Sequence, residues 1–418
     1  MEITNVGLFL HIIFEEVLYT AEIELRPVIG ERIRRKYDPE TGTAFEISGQ
    51  KRIKLESGIV LFLGIRYDGT KIIKKEARPV LQKIQLENFC QHENLQWTSL
   101  QNINLIIGEN SSGKTILLKA LYAALRTLEQ YGKGNDKREL ADILAEKLYW
   151  TFQVEALGDL VEKGKNALKF SMVEDSAEFC FTFGKDTNMK IGKIQNTFDT
   201  PRQNKSVFIP AKEVLSLFNI ILKSRDQDSL FGFDDTYLDL VKALQIAPQR
   251  GRNFDAFADG RKKLEQVIKG KIEYDDQKNE WYYKRGNARF TIGMTSEGVK
   301  KIAIFNRLLS NRYLDNHAVI FIDELESALY PKAISDYLDM IFELSQAGIQ
   351  FFIATHSYFV VKKLYLLAKM HSLSIPVLSL TADGKPSYDD MEDGMPDNSI
   401  IDESIRLYQQ EVDWSLGG

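Results

Sequence analysis

Gly108-Glu109-Asn110-Ser111-Ser112-Gly113-Lys114-Thr115 is the stretch on which the fold turns. It matches G-x-x-x-x-G-K-[ST], the phosphate-cradling P-loop. Upstream, Ile103-Asn104-Leu105-Ile106-Ile107 reads as a short buried strand, and downstream Ile116 to Leu125 carry Ala and Leu at helical spacing. Strand, glycine loop and helix is the context that the motif requires. The glycines let the backbone curl until its N–H groups point at phosphate oxygens, and the helix N-terminus adds the positive end of its dipole. Lys114 then reaches the β- and γ-phosphates and the Thr115 hydroxyl ligates Mg²⁺. Gly108, Asn110, Ser111, Ser112 and Gly113 complete the cradle.

The composition is that of a soluble globular protein: 418 residues, 44% hydrophobic and 27% charged. That length suits one large domain or two to three smaller ones. A formal net charge of -5 argues against a chain that coats nucleic acid non-specifically, while leaving room for a local basic patch. Cys90 and Cys180 have no C-x-x-C partner, which excludes a disulfide framework or a cysteine-rich zinc site and fits a reducing cytosol. The N-terminus lacks the basic region of a signal peptide, and the apolar run Val6 to Phe14 ends in Glu15-Glu16, too short to span a bilayer. A cytoplasmic protein without a membrane span is expected.

Two hundred residues on, Ala318-Val319-Ile320-Phe321-Ile322-Asp323-Glu324 is an apolar run ending in two acids. Such a run reads as a central parallel strand buried on both faces, and ligands bind at the C-terminal ends of such strands. Asp323 there would hold Mg²⁺, directly or through water, and Glu324 would orient or deprotonate the attacking water. Gln350-Phe351-Phe352-Ile353-Ala354-Thr355-His356-Ser357 is a further buried strand, separated from the acidic one by a helical segment (Ala333 to Leu344), so His356 comes to a neighbouring strand end and can sense a γ-phosphate. Thr295-Ser296-Glu297-Gly298 opens a helix after a hairpin pattern, either as a plain N-cap or as another anion-binding helix start.

In their order, these motifs resemble the ABC-type ATPase heads of the RecF/SMC class, and more closely the OLD-type (overcoming-lysogenisation-defect) ATPases. Leu81 to Phe89 is similar to the opening strand of that family, with Asn88-Phe89 about twenty residues before the P-loop, and Ser296-Glu297-Gly298 stands where its signature stands. Glu324 to Pro331 resembles the segment after the acidic strand, departing at Leu325, where Pro is usual, and at Tyr330, where His is usual. The resemblance covers roughly residues 81 to 410. It implies a homodimer that sandwiches ATP, with Ser296 and Gly298 acting in trans on the nucleotide of the partner, and higher oligomers are open. Many OLD-type proteins add a Toprim nuclease domain; only 62 residues follow His356, so none is expected here.

Residues 1–80 read as a β-rich extension, with strands at Gly7 to Phe14, Tyr19 to Glu24 and Ile59 to Tyr67. Its basic clusters, Arg32 to Lys36 and Lys51 to Lys54, sit in a segment of 13 basic and 12 acidic side chains, as a solvated face or a phosphate-backbone contact. Residues 81–125 hold the opening strand and P-loop, 126–270 an inserted β and helical lobe, and 271–418 the signature-like loop, acidic strand, switch-like His356 and an acidic tail. Within the insert, no heptad repeat is sustained, strands are expected at Ala167 to Val173, Glu178 to Phe183 and Met189 to Ile194, and the strand Ser206 to Glu213 returns to the nucleotide site. Its position resembles that of the loop that senses Mg²⁺ and γ-phosphate in ABC heads, which implies that role for Lys212 or Glu213. Helical residues Glu213 to Lys271 carry Arg250, Arg252, Arg261, Lys262, Lys263, Lys269 and Lys271, the best local surface for nucleic acid or an acidic partner. The tail, 381–418, has 10 acidic and 2 basic side chains and an amphipathic helix over Ile400 to Val412.

The expectation is therefore an α/β P-loop NTPase of ABC/OLD type with a mixed sheet, an N-terminal β-rich extension and an inserted helical lobe. It binds and hydrolyses ATP with Mg²⁺. By resemblance it is a prokaryotic regulator, in defence against phage or plasmids, of a separately encoded effector nuclease or toxin. The alternatives are a DNA-repair type ATPase that acts on DNA directly and an ATP-dependent scaffold with little turnover.

Overall fold

The structure, a computed structural model, describes residues 79–249, 255–381 and 385–417, together with four strands nearer the N-terminus. The chain divides into two compact units, Met1–Glu76 and Ala77–Gly418. In the first, β1 (Gly7–Phe14) pairs antiparallel with β2 (Val17–Glu24), and β3 (Lys51–Lys54) with β4 (Val60–Leu63). The basic cluster Arg32 to Lys36 lies outside the described residues, whereas Lys51 to Lys54 forms β3.

The larger unit opens with β5 (Leu81–Phe89), β6 (His92–Trp97) and the P-loop strand β7 (Ile103–Gly108), then α1 (Lys114–Gln130) and α2 (Leu140–Phe152). Next come β8 (Ala167–Glu174), β9 (Ala177–Gly184), β10 (Lys193–Asn196) and β11 (Ser206–Ile209). Helices α3 (Phe218–Leu222), α4 (Asp235–Gln245) and α5 (Asp255–Ile268) lead to a meander of β12 (Lys271–Asp275), β13 (Glu280–Arg285) and β14 (Ala288–Thr291). The chain then runs through α6 (Glu297–Ser310), β15 (Val319–Asp323), α7 (Pro331–Gln346), β16 (Gln350–Thr355), α8 (Tyr358–His371), β17 (Pro376–Leu380), β18 (Pro386–Asp390) and α9 (Ser399–Gly417).

A six-stranded mixed sheet in the order β11-β15-β16-β7-β17-β18 positions the site. Its first five strands are parallel and β18 closes the edge antiparallel. The inner strands are mostly apolar because both faces are covered: β7, β15, β16 and β17 are buried at every position. Along β15 the alternation is clean, Ile320 and Ile322 packing with α6, α7 and α8, Val319 and Phe321 with α1 on the other face. The register sets Asp323 opposite Ala354 and Thr355 opposite Ile107, so the ends of β15, β16 and β7 lie side by side. This edge is where a parallel sheet presents ligand-binding groups.

The second sheet, β10-β9-β8-β5-β6, is antiparallel, so strands from 126–270 hydrogen-bond to the strand at Leu81. Gln350 staples the two sheets: its buried amide accepts from Leu81 N (2.7 Å) and donates to the carbonyls of Leu81 (2.9 Å) and Gln101 (3.0 Å). Helix α4 is held on α1 and α2 by buried charges as well as apolar contacts. Lys147 reaches Asp235 (2.5 Å) and Asp239 (3.2 Å), Tyr122 donates to Asp239 (2.7 Å), Arg126 lies 3.2 Å from Asp239, and Lys119 pairs with Asp234 (2.6 Å).

Candidate nucleotide site

The loop leaves β7 at Gly108 and enters α1 through Gly113, which caps the helix with φ 94 and ψ 4 and no side-chain hydrogen bond. Space demands glycine here as much as conformation does. A Cβ on Gly108 would meet the Leu380 carbonyl oxygen at 2.2 Å, and one on Gly113 would meet the His92 ring at 2.6 Å. Asn110 and Ser111 are exposed on the loop, Ser111 with φ 64, while Ser112 and Gly113 are buried at its base. With no acidic side chain in its first turn and no capping side chain, α1 leaves its N-terminus fit for an anion.

Lys114 is buried and curls over the loop, its ammonium donating to the carbonyls of Gly108 (2.8 Å) and Glu109 (2.6 Å). Burial draws its pKa down, and the carboxylates of Asp323, Glu324, Glu326 and Glu109 pull it back. The Thr115 hydroxyl lies 3.1 and 3.0 Å from the two carboxylate oxygens of Asp323. Burial raises the Asp323 pKa, opposed by the Thr115 hydrogen bond and reinforced by the charge of Glu324. A hydroxyl and a carboxylate this close are hard oxygen donors of the kind Mg²⁺ takes alongside phosphates, so the residues fit that ion. Among the described residues no three His, Cys, Asp or Glu side chains converge into a cage of their own.

Glu324 follows at φ 46, a left-handed conformation rare for a side-chain-bearing residue and concentrated at functional sites. Its carbonyl accepts from Ser327 N (3.0 Å) and from the Lys301 ammonium of α6 (2.6 Å). Two residues on, the Glu326 carboxylate accepts from His356 N (3.1 Å) and lies 3.5 Å from His356 Nδ1. His356 itself is exposed at the end of β16. The fold thus gathers the P-loop, Asp323, Glu324 and His356 at one edge of the sheet.

Ser296 is the exposed N-cap residue of α6, and its side chain makes no capping hydrogen bond. Gly298 packs against the turn after Glu324, where a Cβ would fall 2.7 Å from the Ala328 carbonyl oxygen. Leu325 is fully buried, which suits an aliphatic side chain, and Tyr330 is the exposed N-cap of α7. Lys212 is exposed; Glu213 accepts from Ser216 N (2.9 and 3.0 Å) and sits 3.7 Å from Lys300, tying the loop after β11 to α6.

Three contributors were not expected from the sequence. Gln91 donates to the Ser111 carbonyl (2.7 Å), and the buried His92 ring lies 3.2 Å from the Gly113 carbonyl oxygen, so the turn into β6 clamps the loop. Burial lowers the pKa of His92. Lys301 is buried as well, and burial pulls its pKa down to about 8 against the attraction of Glu326, Asp323 and Glu324. The signal for it was its phase: Lys301 shares a helical stripe with Ile304, Phe305 and Leu308, all buried.

Three cations of the basic lobe have carboxylates beside them. Arg261 lies 3.9 Å from Glu265, Lys263 pairs with Glu343, and Lys271 lies 2.8 Å from Glu273. Arg250 and Arg252 lie outside the described residues. Among the described residues no helix is long and apolar enough to cross a membrane.

Comparison with known proteins agrees with the chemistry of this edge. Residues 80–247 match the family described as "AAA ATPase domain", and residues 182–362 match "AAA domain, putative AbiEii toxin, Type IV TA system". The chain is 24% identical over 169 residues to the DNA double-strand break repair Rad50 ATPase of Nanoarchaeum equitans, a match covering 37% of this chain and 21% of that protein. The chain thus spans about a fifth of the length of the curated relative it matches. Among solved structures, it is similar to the Smc head domain with an extended coiled coil bound to the C-terminal domain of ScpA derived from Pyrococcus furiosus, at 12% identity, 79% and 99% coverage of the two chains and a TM-score of 0.45. The SMC head domain from Thermotoga maritima overlays at 12% identity, 74% and 98% coverage and a TM-score of 0.39. The two family matches overlap, the one over 80–247 taking in the P-loop and the one over 182–362 the acidic strand: the chain carries an ATPase domain.

Proposed function

We propose that this chain binds ATP with Mg²⁺ and hydrolyses it slowly to ADP and phosphate, as a homodimer that uses the cycle to regulate a separately encoded effector. The observation that carries the ATPase reading is the Thr115 hydroxyl 3.0 and 3.1 Å from the Asp323 carboxylate, which joins the two nucleotide motifs across 208 residues of sequence.

In this reading the loop N–H groups from Gly108 to Gly113 hold the β-phosphate, and Lys114 transfers its ammonium from the loop carbonyls to phosphate oxygens. Thr115 and Asp323 would hold Mg²⁺, which would supply charge neutralisation for the phosphoryl group being transferred. Glu324 orients the attacking water and accepts its proton, and His356, its backbone fixed by Glu326, contacts the γ-phosphate. The developing charge needs donors on its open side as well. Ser296 and Gly298 of the partner subunit would supply them, and the exposure of Ser296 at a helix start supports that role. The cytoplasmic location rests on the isolated Cys90 and Cys180, which suit a reducing compartment, and the OLD-like kinship and a role in defence against phage or plasmids rest on the motif resemblance; the partial match to a toxin-associated ATPase family supports the last of these.

Glu324→Gln tests the reading. It should keep ATP binding while turnover falls at least a hundredfold, about the effect of losing a general base. Co-expression with the genomic neighbour and particle mass with and without ATP test the regulatory half: a complex whose composition or size changes with ATP is expected. The partial match to a Rad50 ATPase favours a second reading, direct action on DNA. It predicts DNA-stimulated hydrolysis that weakens steeply with salt and no co-purifying partner.

A further inference from the structure

We infer that Lys301 is a positioning residue for hydrolysis, holding the backbone of Glu324 in its left-handed conformation and fastening that turn to the helix that starts at Ser296. The inference rests on the reading of Glu324 as the group that activates water, and it adds the means by which the helix α6 governs it.

A lysine is an unexpected occupant of this position. It shares its helical stripe with Ile304, Phe305 and Leu308, so a leucine or methionine would complete the apolar face and avoid desolvating an ammonium. The desolvation is visible in the depressed pKa, and the attraction of Asp323, Glu324 and Glu326 offsets only part of it. A buried ammonium held there against its solvation preference directs its hydrogen bond to the Glu324 carbonyl, 2.6 Å away. That carbonyl belongs to the residue at φ 46, where an L side chain is disfavoured and the surroundings must impose the conformation.

One further contact makes α6 and the turn one body. Gly298 lies so close to Ala328 that any Cβ would strike its carbonyl oxygen. Lys300, the neighbouring residue, points elsewhere: its ammonium donates to Ser216 Oγ (2.7 Å) and Glu297 (2.9 Å) and pairs with Glu213. Adjacent lysines of one helix thus hold the segments after β15 and after β11. A ligand that engages Ser296 and Gly298 pulls on the helix, and one side chain carries that displacement to the backbone of Glu324.

The test uses the full chain with Lys301→Met, Lys301→Arg and Lys301→Gln, measuring steady-state kcat with MgATP and the Kd of ATP separately. Displacing a catalytic group by about an ångström lowers rate by roughly a hundredfold, so Lys301→Met should lower kcat by about 10- to 100-fold while ATP Kd stays within about threefold. Lys301→Arg, which keeps a charged donor with the same reach, should restore most of kcat. Lys301→Gln, too short to reach the oxygen from α6, should behave as Lys301→Met and serves if that variant does not fold. Wild-type kcat in Lys301→Met, or in Lys301→Gln where it stands in, overturns the inference while leaving the ATPase reading intact, provided Glu324→Gln is inactive. A loss of ATP binding equal to the loss of kcat, or no rescue by arginine, also overturns it. Hydrolysis insensitive to Glu324→Gln removes the parent reading and this one together.

Discussion

Gly113→Ala separates two reasons for glycine at the base of the P-loop. The first is conformational: at φ 94 and ψ 4 an L side chain is strained by about 1–2 kcal/mol. The second is steric. The new Cβ would stand 2.6 Å from Cε1 and 2.7 Å from Nε2 of His92, and 2.8 Å from the Gln91 amide nitrogen. The Gln91 amide is on the surface and can move, but the His92 ring is buried against Gly113, and overpacking of this kind costs about 1–3 kcal/mol. The single variant should therefore lose about 2–5 kcal/mol, and in a His92→Ala background only the conformational part, about 1–2 kcal/mol, should remain. The double-mutant cycle then gives a coupling of about 1–3 kcal/mol. Urea unfolding followed by tryptophan fluorescence reads it directly, because Trp97, Trp150, Trp281 and Trp414 all fall in the Ala77–Gly418 unit. A coupling below about 0.5 kcal/mol would refute the steric argument and leave the backbone angle as the whole reason for glycine.

Lys147→Met removes the cation shared by Asp235 and Asp239, leaving two buried carboxylates with reduced compensation, and should destabilise the same unit by about 3–5 kcal/mol in urea titrations; an unchanged midpoint would mean the triad is dispensable. The buried His92 resists protonation that the unfolded chain accepts below its ordinary pKa of about 6.5. With the folded pKa lowered, stability present above pH 6.5 is lost as pH falls through the window toward the native value. His92→Gln should flatten that slope, and parallel pH profiles for the two proteins would contradict it.

The nucleotide edge could be read from sequence because each part is local. A strand, a glycine loop and a helix are contiguous at 103–125, and Asp323 and Glu324 end an apolar run long enough to be a buried strand. The strand Gly7 to Phe14 is found with the bounds expected of it. Pairing was not legible: β8 hydrogen-bonds to β5 some eighty residues away, and nothing in either segment names the other. Strand β6 was missed because His92-Glu93-Asn94-Leu95-Gln96-Trp97 is mostly polar, yet His92, Leu95 and Trp97 turn inward. The strand expected at Met189 to Ile194 begins instead at Lys193, since the Thr187 and Asn188 carbonyls are taken by Gly158 and Leu157. The lysines were the least readable. Lys147 looks like a surface residue until the fold shows which carboxylates surround it, and the helical phase of Lys301 points inward without naming the carbonyl it reaches.

The left-handed angle at Glu324 also sets a conflict between endurance and turnover. A glycine accepts φ 46 without strain, so Glu324→Gly relieves on the order of 1 kcal/mol of backbone energy at that residue. The same exchange deletes the carboxylate that the proposed mechanism uses to activate water. A laboratory selection for heat resistance would therefore enrich inactive chains at this position, and recovery of active ones would depend on screening both properties at once.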